Sequence, residues 1–119
     1  MSAPEQLDRT LAALADPVRR RAVELLAVRA YRAGELAEAL GVPPPTMSKH
    51  LRVLRQHGIV GEQSPEFDTR VRIYSLRSAP MTDLRSWLAA AEQGWAQQLA
   101  AFAEHVGGNP DGAEPGVDQ

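Results

Sequence analysis

The sequence contains no cysteine, and this absence excludes several chemistries at once. Disulfide frameworks, thiolate metal sites and cysteine nucleophiles all need a residue that the chain lacks. Long apolar runs are also missing, since no stretch approaches the roughly 18 apolar residues of a membrane span. The first residues, MSAPEQLDRTLAALADP, do not combine a basic start with an apolar run, so no secretory signal is expected. The sequence therefore predicts a cytoplasmic protein without a membrane partner.

Motifs of the common enzyme classes are also missing. The chain has no glycine-rich phosphate loop, no GxSxG nucleophile motif and no evident pair of carboxylates. His50 and His57 lie seven residues apart, but a zinc site needs three or four converging ligands. We therefore expect no catalysis, no cofactor and no bound metal.

The length of 119 residues suits one small domain, for which a core shared between two chains helps to bury apolar surface. We expect this domain to cover residues 1–106. The remainder, 107–119, has the sequence GGNPDGAEPGVDQ, and its glycine, proline and acidic content predicts a disordered tail.

Charge is distributed unevenly along the chain. The net charge of -2 argues at first against a nucleic-acid partner, because phosphates bind basic surfaces. Residues 17–80, however, hold 11 Lys/Arg and 6 Asp/Glu, whereas the two ends are acidic. A basic centre on an acidic chain allows a local patch to face DNA.

Five segments carry apolar residues three or four positions apart, which is helical spacing. Four of the predicted helices cover residues 6–15, 17–27, 33–40 and 82–106. The remaining helix follows the prolines at 43–45 and ends at Gly58. The last helix would span roughly 37 Å, and so few residues are left to cover it that packing on another chain is expected.

Two short strands are predicted after the fourth helix, over residues 59–63 and 70–76, with SPEFDT as the tip of the hairpin between them. The stretch before them, ELAEALGVPPPTMSKHLRVLRQHGIV, predicts two short amphipathic helices joined by a tight turn, which is a DNA-binding helix-turn-helix. The predicted fold is therefore mainly α with a small β-hairpin wing: a dimeric winged helix-turn-helix of about five helices and two strands.

Three segments resemble the ArsR/SmtB family of bacterial repressors. They are ALADPVRRRAVELLA, GELAEALGVPPPTMSKHLRVLRQHGIV and RVRIYSL, and the resemblance covers residues 11–76. Recognisable metal-ligand motifs are lacking, since Arg85 takes the place of the histidine in the family's Asp-x-His. The resemblance implies a homodimer built on the first and last helices, which presents two recognition helices to an inverted-repeat operator in double-stranded DNA.

The resemblance also carries site residues over to this chain. Ser48 and Lys49 are expected to touch base edges or nearby phosphates. Arg52 and the wing residues Arg70 and Arg72 are expected mainly to neutralise backbone charge. For His50, packing inside the helix-turn-helix is the alternative to DNA contact. The full predicted DNA-binding set is Thr46, Ser48, Lys49, His50, Arg52, Arg70 and Arg72.

One departure from the family concerns the start of the recognition helix. Pro43 and Pro44 stand where family members usually place serine and glutamine. Proline is tolerated in a first turn, because the amides there lack helical partners. We expect the helix to form without the DNA-contacting glutamine of the family.

Apolar side chains of the first and last helices are the predicted dimer contacts: Leu7, Leu11, Leu84, Leu88, Trp95, Leu99 and Phe102. The alternative for Trp87, Trp95 and Phe102 is a pocket for a small-molecule effector. Dimer packing is favoured, because aromatic stripes at helical spacing belong to cores first.

Other questions stay open at this point. The run Arg19–Arg21 suits either phosphate contact or a solvated face with Glu24 as partner. For function, the leading hypothesis is a transcriptional repressor. Its rivals are a winged-helix module for protein interaction with weak DNA binding, and a repressor gated by an unidentified effector.

Overall fold

The computed structural model describes residues 2–68 and 70–107, and within them it has five helices and three strands. The helices are α1 (Ala3–Ala13), α2 (Pro17–Leu26), α3 (Ala33–Leu40), α4 (Pro44–Gln56) and α5 (Ser78–Gly107). The strands are β1 (Tyr31–Arg32), β2 (Val60–Gln63) and β3 (Ile73–Leu76). The expected winged helix-turn-helix is confirmed. Among the described residues, no helix is both long and apolar enough to cross a membrane.

The start of α2 follows from its cap. Asp16 Oδ1 accepts hydrogen bonds from the backbone N–H groups of Val18 and Arg19, at 2.8 and 3.1 Å. Proline at the first helical position removes an N–H that would have had no partner. The cap also holds the pKa of Asp16 below its usual value, chiefly because the Arg19 N–H bonds the charged form.

The helix-turn-helix is made from α3 and α4 with a very short connection. Gly41 ends α3 with φ of 67°, a left-handed conformation that glycine adopts without strain. The Val42 N–H then donates back to the Ala37 carbonyl oxygen at 3.0 Å. The three prolines do not break α4, because Pro43 is its cap residue and its carbonyl accepts the first helical hydrogen bond from Met47.

The other end of α4 is closed by both local and distant groups. Gly58, with φ of 78°, lets the Ile59 N–H reach the Leu54 carbonyl oxygen. From α1, Gln6 Nε2 donates to the His57 carbonyl oxygen at 3.1 Å, and Arg9 Nη2 donates to that of Gln56 at 2.9 Å. The last carbonyls of α4 are therefore satisfied, and α1 is tied to the end of α4.

The core lies between α2, α3, α4 and the start of β2. Leu36, Met47, Leu54 and Ile59 are all 0% exposed. Burying a side chain of this size stabilises a fold by about 1.5–3 kcal/mol relative to leaving it exposed. Met47, Leu51 and Leu54, the predicted inner stripe of α4, are all buried, so the opposite face of the helix points outward.

The sheet differs from the prediction in two respects. Its order is β1-β3-β2, and the two-residue β1 pairs with β3 through Tyr31 opposite Tyr74. Such a short edge strand leaves no alternation pattern in the sequence, which explains why only two strands were expected. The predicted strand 70–76 starts three residues late, since the Val71 N–H donates to the Asp68 carbonyl oxygen in a turn.

The chain divides into two compact units, one ending at Leu84 and the other beginning at Arg85. The helix α5 starts four residues before the predicted 82 and ends at Gly107. Gly107 was placed in the predicted disordered tail, and the rest of that tail, 108–119, lies outside the described residues. In the second unit, every residue from 85 to 105 is exposed.

Candidate nucleic-acid interface

The outer face of α4 carries the predicted recognition residues. Thr46, Ser48, Lys49 and Arg52 are all exposed, whereas the inner stripe is fully buried. The helix contains no aspartate or glutamate. Hydroxyl, ammonium and guanidinium donors are thus presented together on a helix that the core holds in place.

Arg55 belongs to the same face, although it was not among the residues predicted from the sequence. It lies seven residues after Ser48 and three after Arg52, which is the spacing of one helical face. The sequence alone therefore contained enough information to place Arg55 on this face. The cationic face of α4 therefore extends one turn further than predicted.

Glu62 on β2 connects this helix to the wing. Its carboxylate pairs with Arg55 Nη1 through Oε1, and with Arg72 Nη1 through Oε2 at 3.1 Å. The Glu62 side chain is only 10% exposed, but those of Arg55 and Arg72 are 53% and 58% exposed. One largely buried carboxylate thus restrains two outward-facing guanidinium groups.

Tyr74 lies directly opposite Glu62 in the register of β2 and β3. Its ring packs against the core. Burial raises the pKa of the Tyr74 phenol, and the negative charge of Glu62 adds to this shift. The phenol therefore stays protonated at neutral pH, where its O–H remains a hydrogen-bond donor.

The tip of the wing is more acidic than its base, where Arg72 pairs with Glu62. Arg70 donates to Asp68 Oδ1 from its side chain, with Nε at 3.2 Å, and from its backbone N–H at 3.0 Å. The Arg70 side chain lowers the pKa of Asp68. Arg70 is thus already paired with a carboxylate, while Glu66 adds a further negative charge and Phe67 is 90% exposed.

His50 lies at the junction of α4 with the start of α2. Its Nδ1 is 3.4 Å from Arg19 Nη1 and 4.0 Å from Asp16 Oδ1, and its side chain is 16% exposed. These contacts match the alternative in which His50 packs inside the helix-turn-helix. Its contact with DNA stays a prediction.

Two residues of the run Arg19–Arg21 make contacts that were not among the alternatives considered. Arg19 Nε donates to the Ala13 carbonyl oxygen at 2.6 Å, and Arg20 Nη1 donates to that of Leu14 at 2.8 Å. Both arginines therefore cap the end of α1. Arg21 is exposed.

No metal site is apparent within residues 2–68 and 70–107, where no three histidine, aspartate or glutamate side chains cluster. His57 ends α4, and its Nδ1 is 2.9 Å from the Val53 carbonyl oxygen. His57 and His50 therefore have separate partners.

The predicted dimer contacts are mostly uncovered in a single chain. Leu7 and Leu84 are half-buried, and Leu11 is 41% exposed. On α5, Trp95 is 62% exposed and Phe102 is 67% exposed. Leu88, Leu99 and Trp87 are between 47% and 48% exposed. This exposed apolar surface is available to a partner.

Comparison with known proteins agrees with this geometry. The family described as "Bacterial regulatory protein, arsR family" matches residues 16–62. HTH-type transcriptional regulator Rv2034 of Mycobacterium tuberculosis is 35% identical over 111 residues, which is 93% of this chain and 98% of that protein. Transcriptional repressor SdpR of Bacillus subtilis is 29% identical over 76 residues, covering 64% of this chain and 81% of SdpR.

A solved structure agrees as well. The ArsR-like transcriptional regulator from Rhodococcus sp. RHA1 superposes with a TM-score of 0.69 at 26% identity, covering 84% of this chain and 92% of that one. The match to the family, the extent of the likeness to Rv2034 and the shared fold all agree. The chain therefore belongs to the ArsR family of bacterial regulatory proteins and is a DNA-binding transcriptional regulator.

Proposed function

We propose that the protein is a cytoplasmic homodimeric repressor that binds an inverted-repeat operator in double-stranded DNA. The observation that carries the proposal is the outer face of α4, where exposed donors stand on a helix whose other face is fully buried. Because a helix fits the major groove, such a face can contact base edges and phosphates together. Repression follows if the dimer occupies promoter DNA, and SdpR, a relative, is named a transcriptional repressor.

Roles within the interface follow from position. The first turns of a recognition helix approach the base edges most closely, so Thr46, Ser48 and Lys49 are assigned to the half-site sequence. Arg52 lies further along and is assigned to phosphates, which position the protein without specifying sequence. Arg70 and Arg72 keep their assigned contact with the DNA backbone.

Homodimer formation is supported by α5. A helix within a protein gains most of its stability from tertiary packing, yet every residue from 85 to 105 is exposed in the single chain. A second copy offers the same apolar face, as a two-fold interface requires. The two α4 helices would then meet half-sites about 34–36 Å apart.

The test is a titration of purified protein into labelled DNA from the region upstream of its own gene, with scrambled competitor at two salt concentrations. We expect specific binding of one dimer per inverted repeat that weakens as salt rises, because bound phosphates release counterions. Lys49→Ala should change which half-site sequence is preferred. Arg29→Ala, which removes a cation paired with Glu35, should leave that preference unchanged.

Two other outcomes would reject or change this proposal. Binding that is absent at low salt, or that does not change with salt, would reject operator recognition and favour the protein-interaction module. Specific binding that appears only after a small molecule is added would instead make the repressor effector-gated.

A further inference from the structure

A polar cleft lies between the outer face of α4 and the base of the wing. Its volume is about 250 Å³, and it is lined by Ser48, Arg52, Arg55, Glu62, Arg72 and Tyr74. Three guanidinium groups and one carboxylate give the lining a net charge of +2. The cleft is thus suited to an anion rather than to an apolar or cationic group.

The arrangement of the charges leaves donors available for that anion. Arg55 and Arg72 each direct Nη1 to the carboxylate of Glu62, whereas both side chains are more than half exposed. A guanidinium group has five N–H donors in a planar fork. The donors that do not contact Glu62 can therefore bind a second anion on the solvent side, while the largely buried Glu62 holds both guanidinium groups.

The position of the cleft along α4 indicates which anion it receives. Arg55 lies seven residues after Ser48, which is about 10 Å along the helix axis. In a helix-turn-helix, the N-terminal part of the recognition helix contacts base edges, so its last turn and the wing lie nearer the sugar-phosphate backbone. Forked guanidinium donors also match the geometry of a phosphate.

We infer that this cleft binds one backbone phosphate of the operator, with Arg55 as a direct donor and Glu62 as the residue that positions Arg55 and Arg72. The inference rests on the proposed DNA binding and deepens it, since it adds Arg55 to the interface. It also assigns Arg72 to a site shared with α4 rather than to an independent contact of the wing.

The first test compares Arg55→Ala with the matched control Arg29→Ala. Arg29 has a side chain 54% exposed and a carboxylate partner, as Arg55 has, but it lies outside the cleft. Binding constants for operator and for scrambled duplex are measured across a salt series. For Arg55→Ala we expect about a tenfold loss per protomer for both sequences. The logarithmic salt slope should fall by about 0.9 per protomer, or about 1.8 per dimer.

Arg55→Lys separates charge from geometry. Lysine keeps the charge but cannot hold Glu62 and a phosphate with one planar fork. We expect the salt slope to stay at the wild-type value while affinity falls by about threefold per protomer. Wild-type affinity in Arg55→Lys would overturn the role assigned to the geometry.

A second measurement locates the phosphate. Single phosphates of the operator are replaced in turn by uncharged methylphosphonates, and the loss of affinity is measured for wild type and for Arg55→Ala. At one position in each half-site, the methylphosphonate should weaken binding by wild type but hardly change binding by Arg55→Ala. Equal losses at every position would overturn the inference.

Failure of this inference is distinguishable from failure of the proposed function. If wild-type protein shows no specific, salt-dependent binding, the operator proposal fails and this one with it. If wild type binds its operator and Arg55→Ala keeps both the affinity and the salt slope, only the phosphate cleft is rejected.

Discussion

The two compact units bury their large apolar side chains to different extents. In the unit that ends at Leu84, Leu36, Met47 and Leu54 are completely buried. In the unit that begins at Arg85, Trp95 and Phe102 are about two-thirds exposed. The first unit therefore builds a buried core within one chain, although Leu11 and Phe67 stay exposed, whereas the large apolar side chains of the second unit are all exposed between residues 85 and 105.

Polar side chains of the first unit have two uses. The first unit closes its helices with Asp16, Arg19 and Arg20, and with donors from Gln6 and Arg9. Other cations of this unit are exposed on α4 and at the base of the wing. The surface proposed to contact DNA therefore belongs to the unit that has its own core, whereas most of the apolar side chains proposed for dimerisation belong to the second unit.

The largest expected effect comes from truncating a leucine of the first unit. Leu54→Ala removes a side chain that is 0% exposed and leaves a cavity in the buried cluster that also contains Leu36, Met47 and Ile59. We expect the free energy of unfolding to fall by about 2–5 kcal/mol. Urea denaturation followed by circular dichroism measures this change. A loss below 1 kcal/mol would mean that this core is not closely packed.

The same substitution in the second unit should act on association. Leu99 is 47% exposed in the single chain, so Leu99→Ala leaves no cavity there. We expect the dimer dissociation constant to rise about tenfold, an effect of about 1.4 kcal/mol. Sedimentation equilibrium of wild type and variant over a dilution series measures it. An unchanged constant would break the contrast between the units.

The cap of α2 should have a smaller effect with a defined pH dependence. Asp16→Ala removes the acceptor for two backbone N–H groups and should cost about 1 kcal/mol at neutral pH. Since folding lowers the pKa of Asp16, its contribution is present above the unfolded pKa of 3.8 and is lost as pH falls through the folded value.

Asp16→Asn is the matched control for this cap. Asparagine also caps helices well but does not titrate in this range. We expect it to keep most of the stability at pH 7 and to lose the part of the acid dependence that comes from this carboxyl group. Melting temperatures of the three proteins between pH 7 and pH 3 provide the comparison. Parallel curves for wild type and Asp16→Asn would contradict the assignment.

Much of the first unit could be predicted from local sequence. The bounds of α3, the cap at Asp16 and the ends at Gly41 and Gly58 depend on neighbouring residues, whose propensities act within one turn. The inner stripe of α4 follows from helical period in the same way. These features were therefore accessible without a structure.

Long-range pairing was not accessible in this way. The strand β1 is only two residues long and exists because Tyr31 and Arg32 meet β3. The link from Glu62 to Arg55 and Arg72 depends on hairpin register, which a sequence specifies weakly near a wing. Arg55 itself was on the correct helical face, but its partner could be known only from the fold.

The smallest expected effect compares the base of the wing with its tip. Arg72 shares one carboxylate with Arg55 and lines a cleft of net positive charge, whereas Arg70 is paired with Asp68 beside Glu66. Arg72→Ala should weaken binding to operator and scrambled duplex alike and lower the salt slope by about 0.9 per protomer. Arg70→Ala should lower it by less, because Arg70 is already paired with Asp68 and so neutralises less phosphate charge. Salt series for both variants measure the difference. A larger change for Arg70 than for Arg72 would place the phosphate contact at the tip and remove the distinction between the two parts of the wing.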